Sequence, residues 1–223
     1  MKKYRKARAR KREILETYYQ VLVREGFEGA SIGKIAERMG VHPSLIIHYF
    51  KTKENMTIEL VDLLIEKYEA PEFLRFDHVP DGKPRFAALM DTLFSLEWSR
   101  TVDPGVHFGF YYLSFRHPVV RERFEAMLKR FRDYLAGELE HYIRQGVVRA
   151  ADARAAADFI VTLMEGLEFH AHFLAEGRPF EDFAEMARRV AMEMLTGGNE
   201  AAAPQDSQSP VRGIDGEAAS GSG

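Results

Sequence analysis

The chain contains no cysteine. That excludes disulfides and thiolate metal sites, and nothing in the sequence calls for an oxidising compartment. No apolar run approaches the length a membrane span requires, so no membrane partner is expected. The basic start, Met1 to Arg12, is not followed by the hydrophobic region of a signal peptide, and a cytoplasmic protein is expected. No period-2 run is long enough for a convincing strand. P-loop, dinucleotide fingerprint, Gly-x-Ser-x-Gly elbow and HExxH motif are all missing, so neither an enzyme nor a bound cofactor or metal is expected.

What is present is helical pattern, nearly throughout. With 223 residues and 46% hydrophobic composition, the chain can bury a sizeable core as one large domain or two small ones. From Ser31 to Asn55 it reads SIGKIAERMGVHPSLIIHYFKTKEN. Ile32, Ile35, Ala36 and Met39 fall at i, i+3, i+4 and i+7, the spacing of a helix with one buried face. Ser31 can cap that helix, and Gly40 stands where a left-handed residue would end it. Pro43 suits the first turn of a second short helix, about Pro43 to Tyr49. Leu45 and Ile46 are its expected inward anchors, leaving His42, Ser44, Ile47 and His48 outward. Two short helices at such a turn predict a DNA-binding helix-turn-helix.

This stretch resembles the TetR family of bacterial transcriptional regulators. The resemblance rests on Gly40, Val41, His48, Tyr49, Phe50, Lys51, Lys53 and Glu54, with Ile35-Ala36-Glu37 and Gly26-Phe27 before them. It covers about Lys11 to Met56 by motif and the remainder by layout. Two positions depart from the family pattern: Ile47 stands where its first tyrosine is usual, and Leu45 where threonine is frequent. Both exchange a hydrogen-bonding group for an apolar one, so the operator sequence does not carry over.

Charge separates the chain into two parts. Residues 1–57 hold 13 Lys+Arg against 6 Asp+Glu, a net of +7, while the remainder nets −10. A basic segment exchanges counterions with the phosphate backbone, which supports DNA contact by the folded head. The leading tract KKYRKARARKR reads equally well as a DNA-touching arm or as a solvated, disordered one.

Further helical patterns run over about Lys11 to Glu25, Lys53 to Glu69, Arg85 to Arg100, Gly105 to Phe115, Pro118 to Gln145, Ala151 to Ala175 and Pro179 to Leu195. Pro71 to Pro84 is a loop. The expected architecture is all-α: a basic arm and helix-turn-helix domain (1–57), a helical effector-binding and dimerisation domain (58–196), and a disordered tail (197–223) poor in large apolar residues.

His42, Pro43, Ser44, Ile47 and His48 are expected at the DNA, with Ile47 suited to a thymine methyl. Family resemblance implies phosphate contacts at Tyr49 and Lys53. In the aromatic-rich centre, Trp98, His107, Tyr111, Phe115 and Phe131 are expected around a largely apolar or aromatic small-molecule effector, as the family commonly holds one there. Phe159, Leu163, Leu167, Phe183, Met186 and Val190 are expected to pair two copies, as family members pair two C-terminal helices into a four-helix bundle. Glu165, Glu168, His170 and His172 suggest a metal, but their spacing fits ordinary polar positions near a dimer interface better.

The expected function is a ligand-responsive homodimeric regulator, a repressor by family habit, binding a palindromic double-stranded operator and released by its effector. The alternative is the same fold answering to a protein partner or acting constitutively. A third reading is a helical small-molecule-binding or catalytic protein that keeps a basic head.

Overall fold

The computed structural model describes residues 2–68 and 74–197, and every regular element among them is a helix. The order is α1 (Lys2–Gly29), α2 (Ile32–Met39), α3 (Pro43–Phe50), α4 (Lys53–Tyr68), α5 (Lys83–Leu93), α6 (Leu96–Ser99), α7 (Pro104–Ser114), α8 (Pro118–Arg144), α9 (Ala153–Phe173) and α10 (Phe180–Thr196). None of these is long and apolar enough to cross a membrane. Beyond Gly197, the expected disordered tail lies outside the described residues, as does Pro71 of the expected loop.

Local chemistry sets the helix ends. Ser31 Oγ accepts from the Lys34 amide at 3.2 Å, and Gly40, at φ 63°, closes α2 in the left-handed region. Pro43 occupies the first turn of α3, where its missing N–H costs nothing. Thr52 Oγ1 accepts from the Asn55 amide at 3.1 Å and so starts α4. Gly26 has φ 69° and ψ 178°, so the backbone leaves the helix there although helical bonding resumes as far as Gly29.

Two parts of the sequence reading are sharpened. The basic tract, open from sequence between a DNA-touching and a disordered arm, is helical: α1 runs from Lys2 and breaks helical geometry first at Gly26. Arg10 and Glu13 pair at 2.7 Å along it, and Lys11 and Arg12 reach Glu59 and Glu66 on α4 at 2.7 and 2.8 Å. Each exposed pair contributes little alone, but several lie along one helix and its neighbour. The single helix expected over Arg85 to Arg100 is broken, because Ser95 Oγ accepts from the Trp98 amide at 3.0 Å and starts α6 anew.

Two apolar cores result. In the head, Ile14, Tyr18 and Leu22 of α1 close over Ile35 of α2, Ile46 and Phe50 of α3, and Met56 and Leu60 of α4. Ile46 is buried as expected, while Leu45 is only half-buried and Phe50 supplies the second anchor of α3. Val106 and Phe110 of α7 and Val120 of α8 join this core, so it continues into the larger part of the chain. Burying a side chain of this size contributes about 1.5–3 kcal/mol. The second core gathers Phe86, Leu89 and Leu93 of α5, Leu135, Leu139 and Tyr142 of α8, Ile160 and Leu167 of α9, and Phe183, Ala187 and Leu195 of α10.

Candidate functional site

The outward face of α3 carries most of the residues expected at DNA. Ile47 is 46% exposed, and His42, Ser44 and His48 are exposed with it. His42 also has a structural role, since its Nδ1 lies 2.8 Å from Ser44 Oγ and 3.3 Å from the Ser44 amide, which caps α3. Its Nε2 edge is the part left to meet a ligand. Tyr49 is half-buried, with His48 edge-on to its ring at 5.5 Å.

Lys53 is more enclosed than its expected phosphate role suggests. Its ammonium donates to the Phe27 carbonyl at 2.6 Å, and burial lowers its pKa from the ordinary lysine value. The bond satisfies a carbonyl at the Gly26 kink, so Lys53 ties the start of α4 to the end of α1. Two further N–H donors remain on the ammonium for a phosphate.

A cavity of about 460 Å³ lies among α6, α7, α8, α9 and α10. Trp98, Phe131, Phe124, Tyr134, Leu167 and Phe180 form its apolar wall, and the Trp98 and Phe131 rings stack at 5.4 Å with 25° between planes. Burial holds the Tyr134 hydroxyl protonated well above the usual tyrosine range. Polar groups on the wall include His107, Glu165 and Glu168, with exposed Arg75 and Arg130. His107 Nε2 lies 3.9 Å from Glu165 Oε2. A second, small void of about 20 Å³ lies between His107, Phe124 and Met127, which line both spaces, and Val61, Ile65 and Phe110.

Trp98, His107 and Phe131 therefore meet at one cavity. Tyr111 is placed behind it: its hydroxyl donates to Glu165, and its ring packs against Phe124 at 5.0 Å. Phe115 does not belong to the cavity. It is 78% exposed at the C-cap of α7, where the helix ends and the side chain swings outward. Glu165 and Glu168, read from sequence as polar positions near an interface, face the cavity because they share an i, i+3 stripe with Met164 and Leu167. His172 Nδ1 instead bonds the Glu168 carbonyl oxygen at 2.8 Å, and the His170 ring packs on Phe183 at 4.6 Å. Phe180 lines the cavity too, three positions before Phe183, the only one of the two aromatics singled out from sequence.

The expected pairing residues divide in two. Met186, Val190 and Met194 form an exposed i, i+4, i+8 stripe on α10, at 50%, 40% and 63% exposure. Phe159 and Leu163 are half-buried on α9, with exposed Phe169 and Phe173 beyond them. Leu167 and Phe183 are instead buried in the chain's own second core, which removes them from any contact surface. A helix of this kind has two apolar faces, and spacing alone does not distinguish the inner from the outer.

Comparison with known proteins adds independent findings. Residues 83–196 match the family model described as Tetracyclin repressor-like, C-terminal domain, and residues 14–60 match the one described as Bacterial regulatory proteins, tetR family. The HTH-type transcriptional regulator BetI of Serratia proteamaculans (strain 568) is 24% identical over 160 residues, 71% of this chain and 78% of that protein. A transcriptional regulator from Saccharomonospora viridis, solved in complex with choline, superposes with a TM-score of 0.74 at 20% identity, covering 84% of this chain and 97% of that one. AibR, solved in complex with isovaleryl coenzyme A and operator DNA, gives a TM-score of 0.59 at 21% identity over 84% of this chain and 98% of its own.

Proposed function

This chain belongs to the TetR family of bacterial regulatory proteins, and on that footing we propose that it is a homodimeric, ligand-responsive transcriptional repressor of the cytoplasm. In this reading residues 1–57 form the DNA-binding head and 58–196 the effector-binding and dimerisation part. Each copy lays the outer face of α3 into one major groove of a palindromic operator. Ile47 and His48 read base edges, while Tyr49, Lys53 and the N-terminal amides of α4 position the head on phosphates. Met186, Val190 and Met194, with the exposed apolar side chains of α9, pair the two copies. The effector occupies the cavity among α6 to α10.

The observation that carries the reading is α7, which belongs to both sites. Its Pro104 and His107 line the cavity. Its Phe110 meets the Phe27 ring edge-on at 5.4 Å, and the backbone N–H of Asp103, just before it, donates to Tyr19 Oη at 2.8 Å. A ligand that favours one placement of α7 therefore acts on α1, which packs directly on α2. Such coupling requires unequal ligand affinity for the DNA-competent and DNA-incompetent arrangements. That proteins of the same fold were solved with choline and with an acyl coenzyme A supports a small-molecule ligand for this chain.

A gel shift with the DNA upstream of the protein's own coding sequence tests the proposal. A retarded band lost on adding a cavity ligand is expected. A band that no ligand alters would favour control by a protein partner or constitutive binding, and no band at all would remove the DNA-reading assignment.

A further inference from the structure

The charge distribution of the cavity, taken together with the regulatory reading on which this step rests, indicates what kind of effector fits. The wall is largely aromatic, and of its carboxylates and guanidinium groups the less exposed are the carboxylates of Glu165 and Glu168. Glu165 is held from behind by the Tyr111 hydroxyl. Glu168, with a side chain only 19% exposed, stands 4.0 Å from Arg100 and 3.8 Å from His172 Nδ1, both beyond hydrogen-bond distance. The two arginines of the lining, Arg75 and Arg130, are exposed and face screening by water. The chain itself shows that this end attracts cations: the Arg100 guanidinium sits over the Phe180 ring at 5.6 Å while it approaches Glu168.

We propose that the effector is an organic cation of the alkyl- or arylammonium class, its charged head set against Trp98, Phe131 and Glu168 and its apolar body along Phe124 and Tyr134. Stacked aromatic faces attract such a head through their quadrupoles, most strongly when water is displaced. The carboxylate adds a reason against other ligands. An anionic molecule, or a neutral one with no donor at that end, would strip water from Glu168 without replacing it, which is costly for a charged group. Selectivity then comes as much from rejecting the wrong charge as from holding the right one.

Trp98 is the only tryptophan of the chain, so its fluorescence reports cavity occupation directly. Titration with hexyltrimethylammonium, hexan-1-ol and hexanoate compares three head charges on one alkyl chain. The cation should bind at least about tenfold more tightly than the alcohol, with hexanoate weaker still. Glu168→Gln should remove most of that preference, about tenfold in the cation's Kd, and leave hexan-1-ol unchanged. Phe131→Leu, which keeps apolar area but removes the stacked ring, should weaken the cation selectively too, so a folding failure of one variant does not decide the matter. Equal binding of cation and alcohol, or a preference for hexanoate, overturns the cation assignment. If hexanoate or hexan-1-ol binds and releases DNA while the cation does neither, the assignment falls and the ligand-responsive reading stands. If none of the three alters Trp98 fluorescence or the gel shift, the cation assignment falls, and a wider set of small molecules that also leaves the shift intact removes the ligand-responsive reading.

Discussion

Gly109→Ala provides a sharp test of how α7 is joined to the head. A Cβ built at Gly109 would stand 2.2 Å from Phe27 Cε2, 2.8 Å from Cδ2 and 3.2 Å from Cζ. Ordinary contact begins near 3.4 Å, so the ring must retreat by about 1.2 Å. The retreat strains the edge-on pair of Phe27 with Phe110, and Phe27 also offers its carbonyl to Lys53. Overpacking of this kind costs about 1–3 kcal/mol, and loss of the aromatic pair lies within that range. Alanine in place of a mid-helix glycine returns about 0.5–1 kcal/mol. The balance is a destabilisation of about 1 kcal/mol, read by urea unfolding with an unchanged m-value. The decisive arm is the double variant. In a Phe27→Ala background the obstructing ring is gone, and Gly109→Ala should then stabilise by about 0.5–1 kcal/mol. The same sign in both backgrounds refutes the close approach of α7 to Phe27. Gel shifts on the single variant should also show weaker operator binding, since the displaced segment carries the carbonyl that holds Lys53.

Three other predictions concern separate parts of the molecule. Val190→Arg should leave the fold intact and yield a monomer by light scattering at micromolar concentration, because it sets charge in an exposed apolar stripe; Leu167→Ala should instead cost about 2–5 kcal/mol of stability with pairing retained. Lys53→Ala should weaken DNA binding on all sequences and lower the salt slope by about one, while thermal unfolding registers the Phe27 carbonyl left without its donor; an unaltered slope would leave Lys53 only its bond within the protein. Hydrogen bonds from His141 at 3.1 Å and Gln145 at 2.7 Å hold the Asp81 pKa down at about 2, below its ordinary 3.8. A carboxylate depressed on folding contributes stability above its unfolded pKa and loses it as pH falls through the folded one, so this tie between the loop and α8 should weaken from about pH 4 toward 2; a carboxyl NMR titration centred near 3.8 would contradict it.

The legible parts of the chain are those whose causes are local. Ser31, Gly40 and Pro43 act on their own neighbours: the first two bound α2, and the third opens α3. The outward face of α3 was readable for the same reason, since a short helix with one buried stripe has little choice of orientation. Side chains with a choice of partners were not readable. Leu167 and Phe183 carry the same apolar spacing as Val190, yet they fill the chain's own core. Phe115 belongs by composition to the aromatic centre, but it falls where α7 ends and the direction of the side chain changes. The carboxylates of Glu165 and Glu168 gain their meaning only from aromatic rings on α6 and α8, which are distant in sequence. Lys53 shows a third limit: a motif lysine can be spoken for by a carbonyl 26 positions away.

α9 and α7 can transmit an effect because each has two distinct duties. α9 presents Glu165 and Glu168 to the cavity while Phe169 and Phe173 stand exposed toward the proposed partner copy. α7 presents His107 to the cavity while Phe110 enters the head core. The bond from Tyr111 to Glu165 crosses from one helix to the other at the cavity wall. The proposed cationic head, seated at Glu168 one turn along α9 from Glu165, would bias the placement of α9 and with it the Tyr111 bond that holds α7 against α9. In the proposed dimer the pairing surface is formed by α10 with the exposed face of α9, and the reading head lies on the α7 side. In that proposed dimer a shift between these two helices would move each head relative to the two-fold axis and so change the fit to half-sites one helical turn apart. To reduce operator affinity a hundredfold, the ligand must favour the shifted arrangement by about 2.7 kcal/mol, which lies within reach of a desolvated cation–aromatic contact together with one charge-assisted partner.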